Sequence, residues 1–120
     1  TCLGPRGRVG ASVEVKNSIV MSGSHIPHHN YVGDSLIGER CNLGAGTKIA
    51  NLRFDDRNVK VVHKGEMVDS GRRKLGAVMG DDVKTGINAM IDAGTVIFEG
   101  SVIGPGASAR GSIGPGSKVL

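Results

Sequence analysis

Residues 79–107, MGDDVKTGINAMIDAGTVIFEGSVIGPGA, repeat every six positions. Met79, Thr85, Ile91, Ile97 and Ile103 form one column, mostly aliphatic. Val83, Ala89, Thr95, Ser101 and Ala107, four residues after each, form a second column of small or β-branched side chains. Glycine follows the first column directly in Met79-Gly80, Thr85-Gly86 and Ile103-Gly104. A strand alternates with a period of two and a helix repeats near about 3.6 residues, so neither produces two such columns.

Working outward, the same pattern runs through Leu3, Val9, Val15 and Met21, and again through Tyr31, Ile37, Leu43 and Ile49 with the small residues Ser35, Cys41 and Thr47. Each hexad reads as a short strand and a turn. The aliphatic residue points into an axis, the small one fills the corner, and glycine is assigned to the tight turn. Stacked coils satisfy one another's backbone hydrogen bonds. The pattern predicts an all-β fold, a left-handed parallel β-helix of hexapeptide repeats. Two places break it. Met21 to Tyr31 spans ten residues rather than twelve, so Ser22 to Asn30 is expected to leave the regular coil. From Arg53 to Ala77 the hexads vanish. There Val59, Val61 and Val62, then His63-Lys64-Gly65-Glu66, then Met67 and Val68, read as a β-hairpin around a glycine turn. This segment, 53–77, is expected to protrude from the coil, where binding residues gather.

Composition agrees with a thin coil. The 120 residues hold 20 glycines, no tryptophan, and only Tyr31, Phe54 and Phe98 as aromatics, too little bulk for an ordinary globule. The length fits one domain, 1–120. The glycines keep no three-residue period, which excludes collagen, and 38% hydrophobic residues argue against disorder. The net charge of +4 favours an anionic small molecule. Nucleic acid is not expected, since few rings are present to stack on bases. No apolar run reaches the length of a membrane span. Cys2 and Cys41 share no motif spacing, which fits a reducing cytoplasm. The sequence starts inside a repeat, so it is expected to be a fragment of a longer chain. Flat outer faces on a thin coil predict a symmetric homo-oligomer, with sites between subunits.

Polar residues concentrate at the first break: Ser24, His25, His28, His29, Asn30 and Tyr31. The histidines read either as solvated corner residues or, with His63, as imidazole ligands for a metal.

The stretch His28-His29-Asn30-Tyr31-Val32-Gly33-Asp34-Ser35-Leu36-Ile37-Gly38, followed by Asn42-Leu43-Gly44-Ala45-Gly46-Thr47 and Asn51, resembles the acetyltransferase domain of bifunctional N-acetylglucosamine-1-phosphate uridyltransferases, the archaeal branch above all. The resemblance continues through Met79-Gly80-Asp81-Asp82-Val83 and Thr85-Gly86-Ile87-Asn88. It implies acetyl transfer from acetyl-CoA to the amine of glucosamine 1-phosphate, with galactosamine 1-phosphate accepted by some archaeal members, and no metal. It also implies an N-terminal nucleotidyltransferase domain in the parent chain. On the matched positions His28 is the general base, a task suited to imidazole. Tyr31 and Asn42 contact the sugar phosphate, Lys16 binds its phosphate or sugar, and Glu14 orients that neighbourhood. Ala45 offers a backbone N–H to the acetyl carbonyl or sulfur, and Asn51 contacts acetyl-CoA and the reacting groups. Relatives carry a lysine where this chain has Arg57, with Lys60 following. Ile87 and Pro105 stand where relatives contact CoA through the backbone, and proline has no N–H to donate. The family arginine beyond the last coils has no match. Arg72, Arg73 and Lys74 read either as contacts for CoA phosphates or as a solvated charge run. Two other readings stay open: a γ-carbonic-anhydrase-like zinc lyase on the same coil, and a non-catalytic module that trimerises a nucleotidyltransferase.

Overall fold

The computed structural model describes residues 1–120, and short parallel strands build the three faces of a prism. Face one carries Cys2–Leu3, Ile19–Val20, Leu36–Ile37, Val78–Met79, Val96–Ile97 and Ser112–Ile113. Face two carries Arg8–Ala11, His25–His28, Asn42–Leu43, Lys84–Thr85, Val102–Ile103 and Lys118–Val119. Face three carries Glu14–Lys16, Tyr31–Gly33, Lys48–Ile49, Met90–Ile91 and Ser108–Ala109. The chain visits the faces in that order, giving five full coils and two sides of a sixth. No helix is long and apolar enough to cross a membrane.

One residue per strand fills the axis. Val20, Ile37, Met79 and Ile97 come from face one, Ile26, Leu43, Thr85 and Ile103 from face two, and Val32, Ile49, Ile91 and Ala109 from face three; all are buried. Each large aliphatic among them contributes roughly 1.5–3 kcal/mol by leaving water. The expected small column is buried throughout, from Ser35, Cys41 and Thr47 to Val83, Ala89, Thr95, Ser101 and Ala107. Its hydroxyls tie coil to coil. Ser35 N–H donates to Ser18 Oγ at 3.0 Å, Ala77 N–H to Ser35 Oγ at 3.0 Å, and Cys41 N–H to Ser24 Oγ at 2.9 Å.

The N-terminal register departs from the strict six-residue reading. Val20 and Val32 fill the axis, while Met21 is exposed and Tyr31 half-buried. The cause lies at one edge. Between inward residues the chain takes six positions from face one to two and from two to three in every coil. From face three to one it takes five (Val15 to Val20, Val32 to Ile37), six (Ile91 to Ile97) or four (Ala109 to Ile113). Each five-residue edge moves the column back by one, and the four-residue edge by two. Ser22 to Asn30 therefore stays in the regular coil: His25–His28 pairs in parallel with Arg8–Ala11, and His25 is in register with Asn42. The small column continues through Ser18, Ser24 and Asn30, all buried.

Glycine also has a different role from the one expected. Gly38, Gly44 and Gly86 directly follow inward residues, yet none has a positive φ. A Cβ on Gly44 would stand 2.6 Å from Thr85 O, and one on Gly38 would stand 2.7 Å from the Gly80 carbonyl carbon. These positions are small because the next coil's backbone lies against them. The left-handed turn falls two residues later, on Arg40 (φ 55°), Gly46 (φ 78°) and Asn88 (φ 56°).

The insertion leaves face three after Ile49 and returns through Gly76. Its hairpin pairs Lys60–His63 with Glu66–Asp69, and Lys64 (φ 50°) and Gly65 (φ 78°) make the turn. Positive φ at both turn residues matches the right-handed twist of the flanking strands. The hairpin is exposed as expected, but the segment's base lies back against the coil. Val59 is 1% exposed, and Gly94 N–H donates to Gly76 O at 2.8 Å. A Cβ on Gly94 would meet Val59 Cγ1 at 2.8 Å. On the edge between faces one and two, Arg40 clamps the coils that flank the insertion. Its Nε and Nη2 donate to the two carboxylate oxygens of Asp82 at 2.9 and 3.0 Å. This arrangement holds the Asp82 carboxyl below its ordinary value.

Two outcomes follow from this packing. Gly38→Ala should lose about 1–3 kcal/mol in urea unfolding, as overpacked sites do. Gly106→Asn should be near neutral, because Gly106 (φ 67°) has open space around it and asparagine tolerates that turn. Cys2 is exposed and Cys41 buried, and burial pushes the Cys41 thiol up. A thiol reagent should therefore label one cysteine in the native chain and both after unfolding.

Candidate active site

At the edge between faces two and three the chain turns after His28, with His29 at φ 50°. Gly46 N–H donates to His28 O at 3.0 Å, Asn88 N–H to Ala45 O at 2.8 Å, and Gly106 N–H to Ile87 O at 2.9 Å. These bonds align His28, Ala45, Ile87 and Pro105 in one strip, a coil apart, each step about 4.8 Å. The strip faces outward: His28, Ile87 and Pro105 are exposed and Ala45 half-buried. Neither Ala45 nor Ile87 donates its backbone N–H within the chain. Four residues singled out from the sequence thus lie together, two of them with amides available to a ligand.

Beside the strip, face three presents Glu14, Tyr31, Lys48, Met90 and Ser108 in register. A groove of about 510 Å³ runs between this face and the insertion, with Tyr31, Lys48, Met90, Arg110 and Phe54 on its walls.

Tyr31 lines this groove, and Asn51 reaches the Tyr31 hydroxyl from beside it. Asn51 Nδ2 donates to Tyr31 Oη at 3.0 Å and to Asp34 Oδ2 at 2.7 Å. The Asp34 Oδ1 accepts from Asn17 Nδ2 at 3.3 Å. The phenol reaches Asn51 by folding back over Gly33, where a Cβ would stand 2.5 Å from Tyr31 Oη and 2.6 Å from Asn51 Nδ2. Lys16 is in register with Gly33, one coil away. The block Tyr31-Val32-Gly33-Asp34 is thereby explained residue by residue. The sequence reading passed over Asp34 as an agent. Its signal was an acidic residue 17 positions before Asn51, which is the length of the local coil.

Other candidates sit apart. Asn42 is exposed on face two, in register with His25. Arg57 and Lys60 are exposed on the insertion, and Lys60 lines a second hollow with Leu52, Phe54 and Met67. Arg73 pairs with Asp56, and Arg72 Nε donates to Lys74 O at 3.2 Å, so both are engaged within the insertion. His25, His28, His29 and His63 do not converge: no three His, Cys, Asp or Glu side chains come within reach of one metal ion. Cys41 donates its thiol to Gly80 O at 3.2 Å in the core and has no access to the groove.

Relatives carry the same coil. A bifunctional sugar-1-phosphate nucleotidylyltransferase/acetyltransferase of Sulfurisphaera tokodaii is 54% identical over 116 residues, covering 97% of this chain and 29% of that protein. The bifunctional protein GlmU of Methanocaldococcus jannaschii is 54% identical over 96 residues, 80% of this chain and 23% of that one. The chain thus spans less than a third of these relatives' lengths. Among solved structures, PerB of Caulobacter crescentus, in complex with CoA and GDP-perosamine, superposes with a TM-score of 0.60 at 17% identity, over 96% of this chain and 52% of that one. That likeness is one of fold. The family model described as the GMPPB C-terminal domain matches residues 1–102. With that match over most of its length and these relatives in agreement, the chain belongs to the family of GMPPB C-terminal domains and is similar to proteins named as nucleotidylyltransferase/acetyltransferases.

Proposed function

We propose that the chain moves the acetyl group of acetyl-CoA to the amine of glucosamine 1-phosphate, with galactosamine 1-phosphate as a second acceptor, as a step toward UDP-N-acetylglucosamine. The observation that carries this reading is the strip beginning at His28 and passing the free amides of Ala45 and Ile87, beside the groove lined by Tyr31, whose hydroxyl Asn51 holds. CoA would lie along the strip and the sugar in the groove. His28 takes a proton from the substrate nitrogen as that nitrogen attacks the thioester carbonyl. The carbon–sulfur bond breaks, and the leaving CoA sulfur takes up a proton. The Ala45 N–H donates to the carbonyl oxygen as it gains charge. Lys16 supplies charge to the sugar phosphate and Glu14 frames the sugar, while Asn42, Arg57 and Lys60, which sit apart within one chain, would reach the sugar phosphate from a neighbouring subunit. Pro105 contributes shape at the far end of the strip. Holding the two substrates together supplies much of the acceleration, and the mechanism uses no metal.

We also propose a homotrimer with sites between subunits, in the cytoplasm, and a parent chain whose remaining part transfers nucleotides. Face one supports self-association. Its outward column is Cys2, Ile19, Leu36, Val78, Val96 and Ser112, nearly all apolar, with Ile19 51% exposed.

Free-thiol release from acetyl-CoA, measured with each sugar phosphate, tests the activity. His28→Ala should lower kcat on the order of 10²–10⁴-fold, the range for a general base, with the oligomer intact. Near-wild-type turnover in that variant would refute the base assignment. No release by the native chain with either sugar would favour the assembly module, and stoichiometric zinc in purified protein would favour the lyase. Ile19→Asp should reduce the mass seen by light scattering to that of one chain, and an unchanged mass would place the subunit contact elsewhere.

A further inference from the structure

The geometry points to Asp34 as a positioning residue that fixes which atoms Asn51 and Tyr31 offer to substrate. This inference rests on the acetyl-transfer reading for its kinetic consequence, but the contact network itself does not depend on it.

Asp34 is 5% exposed and takes the left-handed conformation, φ 52°, at the shortened edge between faces three and one. No Lys, Arg or His side chain forms an ion pair with it. Its partners are two neutral amides, from Asn51 at 2.7 Å and Asn17 at 3.3 Å. A buried carboxylate without a cation is unfavourable for folding. The turn alone does not require the charge, because asparagine adopts the same conformation readily.

What the carboxylate does impose is direction. An ionised carboxylate only accepts hydrogen bonds. The Asn51 amide must therefore turn its nitrogen, not its oxygen, toward Asp34. The second N–H of that nitrogen goes to Tyr31 Oη at 3.0 Å. Both amide protons are then in use, and Oδ1 is the one polar atom of the Asn51 side chain left for a ligand. Asn51 is fixed as an acceptor. Tyr31, which accepts from Asn51, has its own O–H left to donate. The Tyr31–Asn51 pair so offers one donor and one acceptor in fixed places beside the groove. That pair fits an amino sugar, whose nitrogen donates and whose oxygens accept. Asn51 is correspondingly unsuited to donate to the thioester oxygen, which leaves that task to the Ala45 amide.

The test uses two variants and two readouts. Asp34→Asn keeps shape but removes the charge that orients Asn51. Gly33→Ala keeps Asp34 but drives a methyl against Tyr31 Oη and Asn51 Nδ2. Each should lower kcat by about 10²-fold, the scale of a misplaced reacting group, with KM for acetyl-CoA unchanged. The second readout needs no activity. Tyr31 is the only tyrosine and there is no tryptophan, so the chain's intrinsic emission reports the Tyr31 hydroxyl alone. Both variants should change that emission in the absence of substrate. Wild-type kcat in Asp34→Asn, or an emission identical to wild type, overturns the assignment. If Asp34→Asn fails to fold, Asp34→Glu, which keeps the charge but shifts it by one methylene from Asn51, decides by the same two measurements. A native chain that releases no thiol would refute the acetyl-transfer reading, while the emission still tests the network.

Discussion

Backbone hydrogen bonding between successive coils is the constraint on which everything else depends. Every strand between the two end strands of each face bonds a strand one coil above and one below, so the rise per coil is fixed at the strand spacing of about 4.8 Å. Within that rise the next coil's backbone lies where a Cβ would stand at Gly38, Gly44 and Gly86, which is why those positions are glycine. The same rise leaves an axis only one side chain deep from each face. Aliphatic residues fill it, and an indole has no place. The glycines at these positions and the missing tryptophan are thus two consequences of one spacing, while nine other glycines take positive φ at turns.

A fixed rise also turns sequence distance into geometry. Residues one coil apart are neighbours, so His28 and Ala45 lie side by side although 17 positions separate them, and so do Asp34 and Asn51. A site on this scaffold is assembled along columns, not along the chain. This explains why the repeat in residues 79–107 could be read directly. There each side of the prism takes six residues, and the inward column repeats without a slip. Nearer the N-terminus the five-residue edges broke the count. The misreading was chemically plausible, since Val20 and Met21 are both apolar neighbours and only the pairing of Val20 with Ile37 separates them. The hairpin was legible because its signals are local: valines on both sides of Lys64-Gly65. The packing of Val59 against Gly94 was not, because nothing local marks a contact across that distance.

The candidate site follows the same division. The strip His28–Ala45–Ile87–Pro105 was named from resemblance, and its members proved to share one edge. Asp34 was invisible for the opposite reason. Its role lies in a contact one coil away, and a reading confined to six-residue steps does not look 17 positions ahead. The absence of a side chain at Gly33 belongs to the same unit, since the phenol of Tyr31 crosses that position to reach Asn51.

The three edges of the prism are specialised. All variation in coil length, and the whole insertion, falls on the edge between faces three and one. The other two edges keep six residues in every coil, one carrying the Arg40–Asp82 clamp and one the strip. An extended ligand that touches one amide per coil requires those amides at constant spacing, and only an edge of constant length provides it. Variation at the third edge leaves that spacing intact, because each coil is re-registered by its inward residues before the chain reaches face two again. The insertion can therefore wall a groove on face three without disturbing the line of amides beside it. Length change on the edge of the strip would displace every amide below the change, and none is found there.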